Sequence, residues 1–213
     1  MKLKICGMKY ADNLWEVADL QPDYLGFIFY EKSPRYMADT LAPEELVAIP
    51  NPIQKIGVFV NSSNEYILNE AQRFGLDGVQ LHGDESPRQC QELKEVGYLV
   101  IKVFRLGGED FDFSQLAAYQ AHVDYFLFDT QTPSYGGSGH AFNWNQLENY
   151  PFSTPFFLSG GISLKNVQEA MQLEYPQLVG LDVNSRFEIE PGRKDLDRLQ
   201  KLMSKVRNLS SKG

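Results

Sequence analysis

Apolar and polar positions alternate in blocks along the whole chain. Eight runs of strand length recur: LKIC (3–6), DYLGFIF (23–29), QKIGVFV (54–60), DGVQLH (77–82), YLVIKVF (98–104), DYFLFD (124–129), PFFLSG (155–160) and LVGLDV (178–183). Most are apolar nearly throughout, the pattern of parallel strands covered on both faces. Amphipathic stretches separate them. Ser86 and Pro87 suit the N-cap and first-turn positions of a helix whose inner face is Cys90, Leu93 and Val96. Ser163 is the expected cap of another, carrying Leu164, Val167 and Met171, with Pro176 beyond its end. In NEYILNEAQRFG (64–75), Ile67, Ala71 and Phe74 share a face, and Gly75 suits the position just past a helix. A last helix carries Leu196, Leu199, Met203 and Val206, and its tail, 208–213, is expected to fray. The segment RLGGEDFDF (105–113) reads as a loop, with a short or irregular helix after it.

A faint repeat underlies the alternation. Asp23, Asp77 and Asp124 each open a strand of similar form, spaced 54 and 47 residues apart, about two strand–helix units each time. Eight strands alternating with helices, without a linker or a break in composition, predict a single-domain α/β fold over 1–213, a (β/α)8 TIM barrel of eight parallel strands. The alternative, an open doubly wound sheet, usually carries G-x-G-x-x-G after its first strand, and Cys6-Gly7-Met8-Lys9 is not that turn.

Charge and cysteine content narrow the partners. The 213 residues include 20 Lys and Arg against 28 Asp and Glu, a net charge of −8. Such a surface repels nucleic acid and anionic membranes, so neither is expected as a partner. The absence of an evident apolar patch favours a monomer. No secretory leader or membrane-length apolar run is visible, and the expectation is a cytoplasmic protein with reduced thiols. Cys6 and Cys90 form no C-x-x-C pair, and His82, His122 and His140 are scattered, so no metal site is expected.

In such barrels, chemistry sits where the strands end. Cys6, His82, Asp129, the run Ser159-Gly160-Gly161 and the run from Asp182 to Ser185 all fall at strand ends. Lys4 and Cys6 share a strand face. Closure sets the eighth strand beside the first, so a buried Lys4 is expected to pair with Asp182. Gly160-Gly161, after the seventh strand, suits a phosphate, with backbone N–H groups and a helix start close by. The glycine-rich stretch 135–144 could cover a ligand. Arg35, stiffened by Pro34, suits a planar carboxylate. Each residue has a plainer reading as well. Cys6 can be a buried thiol, Gly160-Gly161 a tight turn, Arg35 a surface ion pair and His82 a partner of loop backbone. Cys90 reads as core, His122 and His140 as solvated or structural, and the charges of PGRKDLDR (191–198) as an exposed face.

Taken together, KICGM (4–8), GFIF and SPRY (26–36), IGVFVN (56–61), VQLHG (79–83), FDT (128–130), GGSG and FNW (136–144), LSGGI (158–162), GLDVNS (180–185) and the E…PGRKD run (188–195) resemble the phosphoribosylanthranilate isomerases of tryptophan biosynthesis, in order and over nearly the whole chain. The resemblance implies an Amadori rearrangement of a phosphorylated aryl-amino sugar, without cofactor or metal. It implies Asp129 as general acid and Cys6 as general base. On that reading the site should lower the pKa of Cys6 and raise that of Asp129. It further implies Arg35 on the anthranilate carboxylate, His82 lining the same cavity, and Gly160, Gly161, Asn184 and Ser185 on the phosphate. Where the family reads Ser-Ser-Gly, this chain has Asn184-Ser185-Arg186. Arg186 therefore either swings outward or pairs with the phosphate itself. Two other readings compete. One is a different phosphosugar barrel, using lysine with glutamate or two aspartates. The other is a non-catalytic binder of an aryl sugar phosphate.

Overall fold

The computed structural model describes residues 1–106, 111–130 and 144–210. His140 and most of the glycine-rich stretch lie outside them. All eight apolar runs form strands: β1 (Lys2–Cys6), β2 (Tyr24–Ile28), β3 (Gln54–Phe59), β4 (Gly78–Leu81), β5 (Leu99–Leu106), β6 (Tyr125–Thr130), β7 (Phe156–Ser159) and β8 (Leu178–Val183). They pair in sequence order, all parallel, and close with β8 on β1. The structure is the expected (β/α)8 barrel.

Strand alternation divides the core in two. Tyr24, Ile56, Ile101, Val103, Leu127 and Phe157 fill the barrel. Their neighbours, such as Leu25, Val100, Phe126, Phe128, Phe156 and Leu158, point outward into the larger core beneath the helices. At the N-terminal end of the barrel, Lys2 Nζ donates to the hydroxyls of Tyr24 (2.9 Å) and Tyr125 (2.8 Å). At the other end the inward positions are polar, and the site forms there.

The aspartate repeat has a definite role. Asp23, Asp77 and Asp124 each accept, through Oδ2, the backbone N–H of a residue near the start of the preceding strand: Leu3 (2.7 Å), Lys55 (2.8 Å) and Val100 (2.8 Å). Each also donates its own N–H to the carbonyl of that residue. One carboxylate per strand pair thus ties β1 to β2, β3 to β4 and β5 to β6 at the end opposite the site, where an unpaired strand N–H would otherwise be costly.

The helices are α1 (Ala11–Ala18), α2 (Pro43–Val47), α3 (Asn64–Arg73), α4 (Pro87–Glu95), α5 (Val167–Met171) and α6 (Leu196–Ser210). Ser86 caps α4 by accepting from Gln89 N, with Pro87 at its first position. Cys90 and Leu93 are buried as expected, but Val96 ends the helix and is 59% exposed. Gly75 follows α3 with φ +59°, a conformation that favours glycine. The segment before β6 is the expected irregular helix, a 3-10 run over Phe113–His122, and a second run spans Trp144–Asn149. Ser163 is not a helix cap. Its N–H and hydroxyl engage Asn166 Oδ1, which holds 163–166 as a turn, and α5 begins only at Val167. The backbone of α6 is helical through Ser210.

Periodicity did not single out α1 or α2, and it gave no sign of a hairpin that follows β8. Between β8 and α6, β9 (Glu188–Glu190) and β10 (Arg193–Lys194) form an antiparallel hairpin, turned at Gly192 with φ +91°. Strands this short carry no readable alternation. Asn13 of α1, itself buried, anchors the hairpin by accepting from Lys194 N (2.6 Å) and donating to Lys194 O (3.1 Å).

Candidate active site

Cys6 ends β1 with only 4% of its surface exposed. One inward step below it, Lys4 Nζ lies 3.0 Å from Asp182 Oδ1, and the register sets the two residues side by side across the barrel closure. The expected Lys4–Asp182 pair is present. Asp182 Oδ2 also accepts from Ser159 Oγ at 3.5 Å. β2 makes room for both tips with Gly26. A Cβ there would come within 2.8 Å of Cys6 Sγ and 3.1 Å of Lys4 Nζ.

The electrostatics of this group differ from the sequence expectation. Burial pulls the Lys4 pKa down, but Asp182 and the adjacent thiol outweigh it, so Lys4 stays above the usual lysine range and remains a cation. For Cys6, burial pushes the thiol up. Lys4 and Lys194 pull it down without prevailing, and Asp182 adds to the rise. The pKa of Cys6 is therefore raised, not lowered, because a thiolate in so dry a position loses more hydration than two cations return, one of which is already neutralised by Asp182.

Across the mouth, His82 Nε2 lies 3.4 Å from Asp129 Oδ2, and both side chains are about a quarter exposed, at 26% and 23%. Gln80, buried below them, sets its Nε2 3.4 Å from His82 Nδ1. With the proton on Nε2, His82 accepts from Gln80 and donates to Asp129. The loop after β4 is held by a buried ion pair that the sequence did not reveal. Lys102 Nζ lies 3.1 Å from Glu85 Oε2 and also donates to Gly83 O at 2.7 Å, while Glu85 accepts from the N–H groups of Asn61 and Gly83.

The C-terminal ends of the strands converge on a cavity of about 220 Å³. Cys6, His82, Asp129, Ser159, Gly160, Gly161, Asp182, Asn184, Ser185 and Arg186 all line it, so ten residues singled out from the sequence meet in one place. Gly160 and Gly161 have φ of +85° and +67°, which explains both glycines. A Cβ on Gly161 would meet nothing within 4 Å, so its requirement is backbone conformation and not space. The expected helix start beside this turn is absent, since α5 begins five residues beyond Ile162. Arg186 is exposed and belongs to two surfaces, the cavity and an outer depression shared with Gly161, Ser163, Lys165 and Arg198.

Arg35 lies beside the cavity, over Gly7. A Cβ on Gly7, whose φ is +81°, would strike Arg35 Cδ at 2.9 Å and Asn184 Oδ1 at 2.8 Å. The guanidinium is held by Glu188, with Nε 2.9 Å from Oε1 and Nη2 2.6 Å from Oε2. Lys194, whose side chain is wholly buried, donates to Glu188 Oε1 (2.7 Å) and Asn184 Oδ1 (2.8 Å). The reading of PGRKDLDR as an exposed face is thus wrong for Lys194. Hairpin geometry folds β10 inward over α1, and no short charged run announces that. Among the described residues, no group of three or more His, Cys, Asp or Glu side chains is placed to hold a metal ion, and no helix is long and apolar enough to cross a membrane.

Comparison with known proteins agrees with this fold. Residues 3–205 match the family model described as N-(5'-phosphoribosyl)anthranilate (PRA) isomerase. The N-(5'-phosphoribosyl)anthranilate isomerase of Parabacteroides distasonis is 43% identical over 209 residues, 97% of this chain and 93% of that one. The crystal structure of the phosphoribosyl anthranilate isomerase of Thermotoga maritima superposes with a TM-score of 0.82 at 33% identity, covering 98% of this chain and 99% of the other. A solved complex of such an isomerase with reduced 1-(o-carboxyphenylamino)-1-deoxyribulose 5-phosphate gives a TM-score of 0.80 at 30% identity, with 98% and 99% covered. This chain belongs to the N-(5'-phosphoribosyl)anthranilate isomerase family.

Proposed function

We propose that the protein converts N-(5'-phosphoribosyl)anthranilate into 1-(2-carboxyphenylamino)-1-deoxyribulose 5-phosphate by acid–base catalysis, with Asp129 as acid and Cys6 as base. The reading rests above all on one observation. Cys6 and Asp129 line a single cavity whose rim is the Gly160-Gly161 turn with Asn184 and Ser185. A phosphate at that rim, met by backbone N–H groups and short polar side chains, would set the sugar across the two groups.

The chemistry is internally balanced. Asp129 gives its proton to the ring oxygen as the C1'–O4' bond breaks, and the nitrogen lone pair forms the C=N bond of a protonated Schiff base. The Cys6 thiolate then takes the C2' proton, and that electron pair forms the C1'=C2' bond of an enolamine. Loss of the C2' hydroxyl proton and protonation of C1' give the ketone. Both carbons change oxidation level within one molecule, so proton transfers suffice. His82 holds Asp129 in place, Arg35 takes the aryl carboxylate, and Arg186 adds a cation at the phosphate rim in place of the family's glycine.

A buried thiol with a raised pKa fits this scheme at a cost. Its thiolate fraction near neutrality falls below that of a free cysteine, while each thiolate is a stronger base. The decisive experiment follows the fluorescence change as purified protein is mixed with freshly made substrate. Turnover supports the isomerase. Tight binding of the reduced product analogue without turnover would point to a non-catalytic binder.

A further inference from the structure

Glu188 is a carboxylate in an unusual position. Its side chain is only 4% exposed, yet it meets two cations. Oε1 accepts from Arg35 Nε (2.9 Å), Lys194 Nζ (2.7 Å) and Gly192 N (3.1 Å), and Oε2 accepts from Arg35 Nη2 (2.6 Å) and Nε (3.0 Å). Burial alone would raise its pKa, but the Arg35 and Lys194 contacts outweigh it and hold the carboxyl below the usual range.

The pairing has a geometric consequence. A guanidinium carries five N–H bonds in one plane. Glu188 occupies the Nε–Nη2 edge, which leaves the Nη1–Nη2 edge to face another planar anion. Arg35 is thereby fixed in rotation as well as in position, and its Cδ rests over Gly7, next to Cys6. On the other side, Lys194 occupies Asn184 Oδ1, so the amide of this cavity residue is held with one orientation. Burial pulls Lys194 below the usual lysine range while Glu188 pulls it back up; with Glu188, Arg35 and Lys194 ionised, one negative and two positive charges leave a surplus of one positive charge for a bound anion.

We infer that Glu188 is a positioning residue that aims Arg35 at the ligand's carboxylate, with Lys194 extending the same hold to Asn184. This rests on the reading of Arg35 as the carboxylate anchor. It adds that the anchor's selectivity resides in a hairpin that is not part of the barrel.

The test uses two probes, the reduced product analogue and the same molecule with a phenyl ring lacking the carboxylate. Their dissociation constants are measured by titration calorimetry on wild type, R35A, E188Q, E188D and the double variant R35A/E188Q. Wild type should prefer the carboxylate-bearing probe, and R35A should abolish that preference. E188Q should reduce it about tenfold or more, the scale of a lost charge-assisted hydrogen bond, with binding of the phenyl probe within threefold of wild type. E188D, which keeps the charge on a shorter arm, should fall between, and E188Q should add nothing in the R35A background. A purely structural role would weaken both probes alike. If R35A loses the preference while E188Q and E188D keep it, the inference fails and the anchor stands. If wild type shows no preference, the anchor reading fails and the inference with it. Should E188Q not fold, E188D alone decides, since a preference equal to wild type overturns the proposal.

Discussion

At the scale of single residues, Cys6 is the group on which the proposed mechanism leans hardest, and it is buried. Its raised pKa makes a pH prediction with a definite sign. The proposed mechanism needs the Cys6 thiolate and a protonated Asp129 together, and the share of enzyme holding both falls once pH passes the higher of the two pKa values. With the thiol raised by burial, the alkaline limb of kcat/KM should therefore lie above about pH 8.5, the value for free cysteine. A fall that begins near pH 7 would mean that the thiol is activated in the free enzyme or that another group is the base. Residue positions were readable in the sequence to an uneven degree. Cys6, His82 and Asp129 were visible because strand ends converge in a barrel. Glu188 and Lys194 were not, because a charge in a surface-like run shows its burial only when a distant element, here Asn13 of α1, closes over it. The alternation of β4 sets Gln80 on the face of His82, but it does not announce the contact between the two side chains.

At the scale of elements, the eight strands were legible because buried parallel strands are apolar throughout, and a signal of that kind survives without an alignment. The β9–β10 hairpin and the turn from Ser163 to Asn166 were not, since their structure depends on single hydrogen bonds and not on periodicity. The aspartate repeat lies between these cases. It was seen as spacing, and its role emerged only from the three carboxylate-to-backbone bonds. Asp124→Ala should release the Val100 N–H and cost about 1–2 kcal/mol, because Asp124 also pairs with Lys94 at 3.1 Å. Amide exchange at Val100 should quicken relative to residues in the middle of β5. Unchanged exchange there would show that the carboxylate does not hold the strand start.

At the scale of the whole molecule, closure of the barrel and assembly of the site are one event. The bond that ties β1 to β8 inside the barrel is Lys4–Asp182, directly under Cys6. Lys4→Met would strand a buried carboxylate and should cost about 3–5 kcal/mol in urea denaturation, with part of the loss recovered when Asp182 is also made apolar. A loss below about 1 kcal/mol would place the pair among ion pairs of little consequence. The Lys4 pKa is raised, so its contribution is complete below the ordinary lysine range and is lost only as pH climbs through the higher folded value. Near neutrality, the Lys4 contribution should not vary with pH.

The account turns on two groups acting as acid and base across one cavity. The most direct measurement is kcat for Cys6→Ser and Asp129→Asn beside wild type, with binding of the reduced product analogue determined for each. Each variant should lose on the order of a hundredfold to ten-thousandfold in kcat, the range of a removed general acid or base, while analogue affinity stays within a few-fold. Wild-type turnover by either variant would contradict the assignment of that residue.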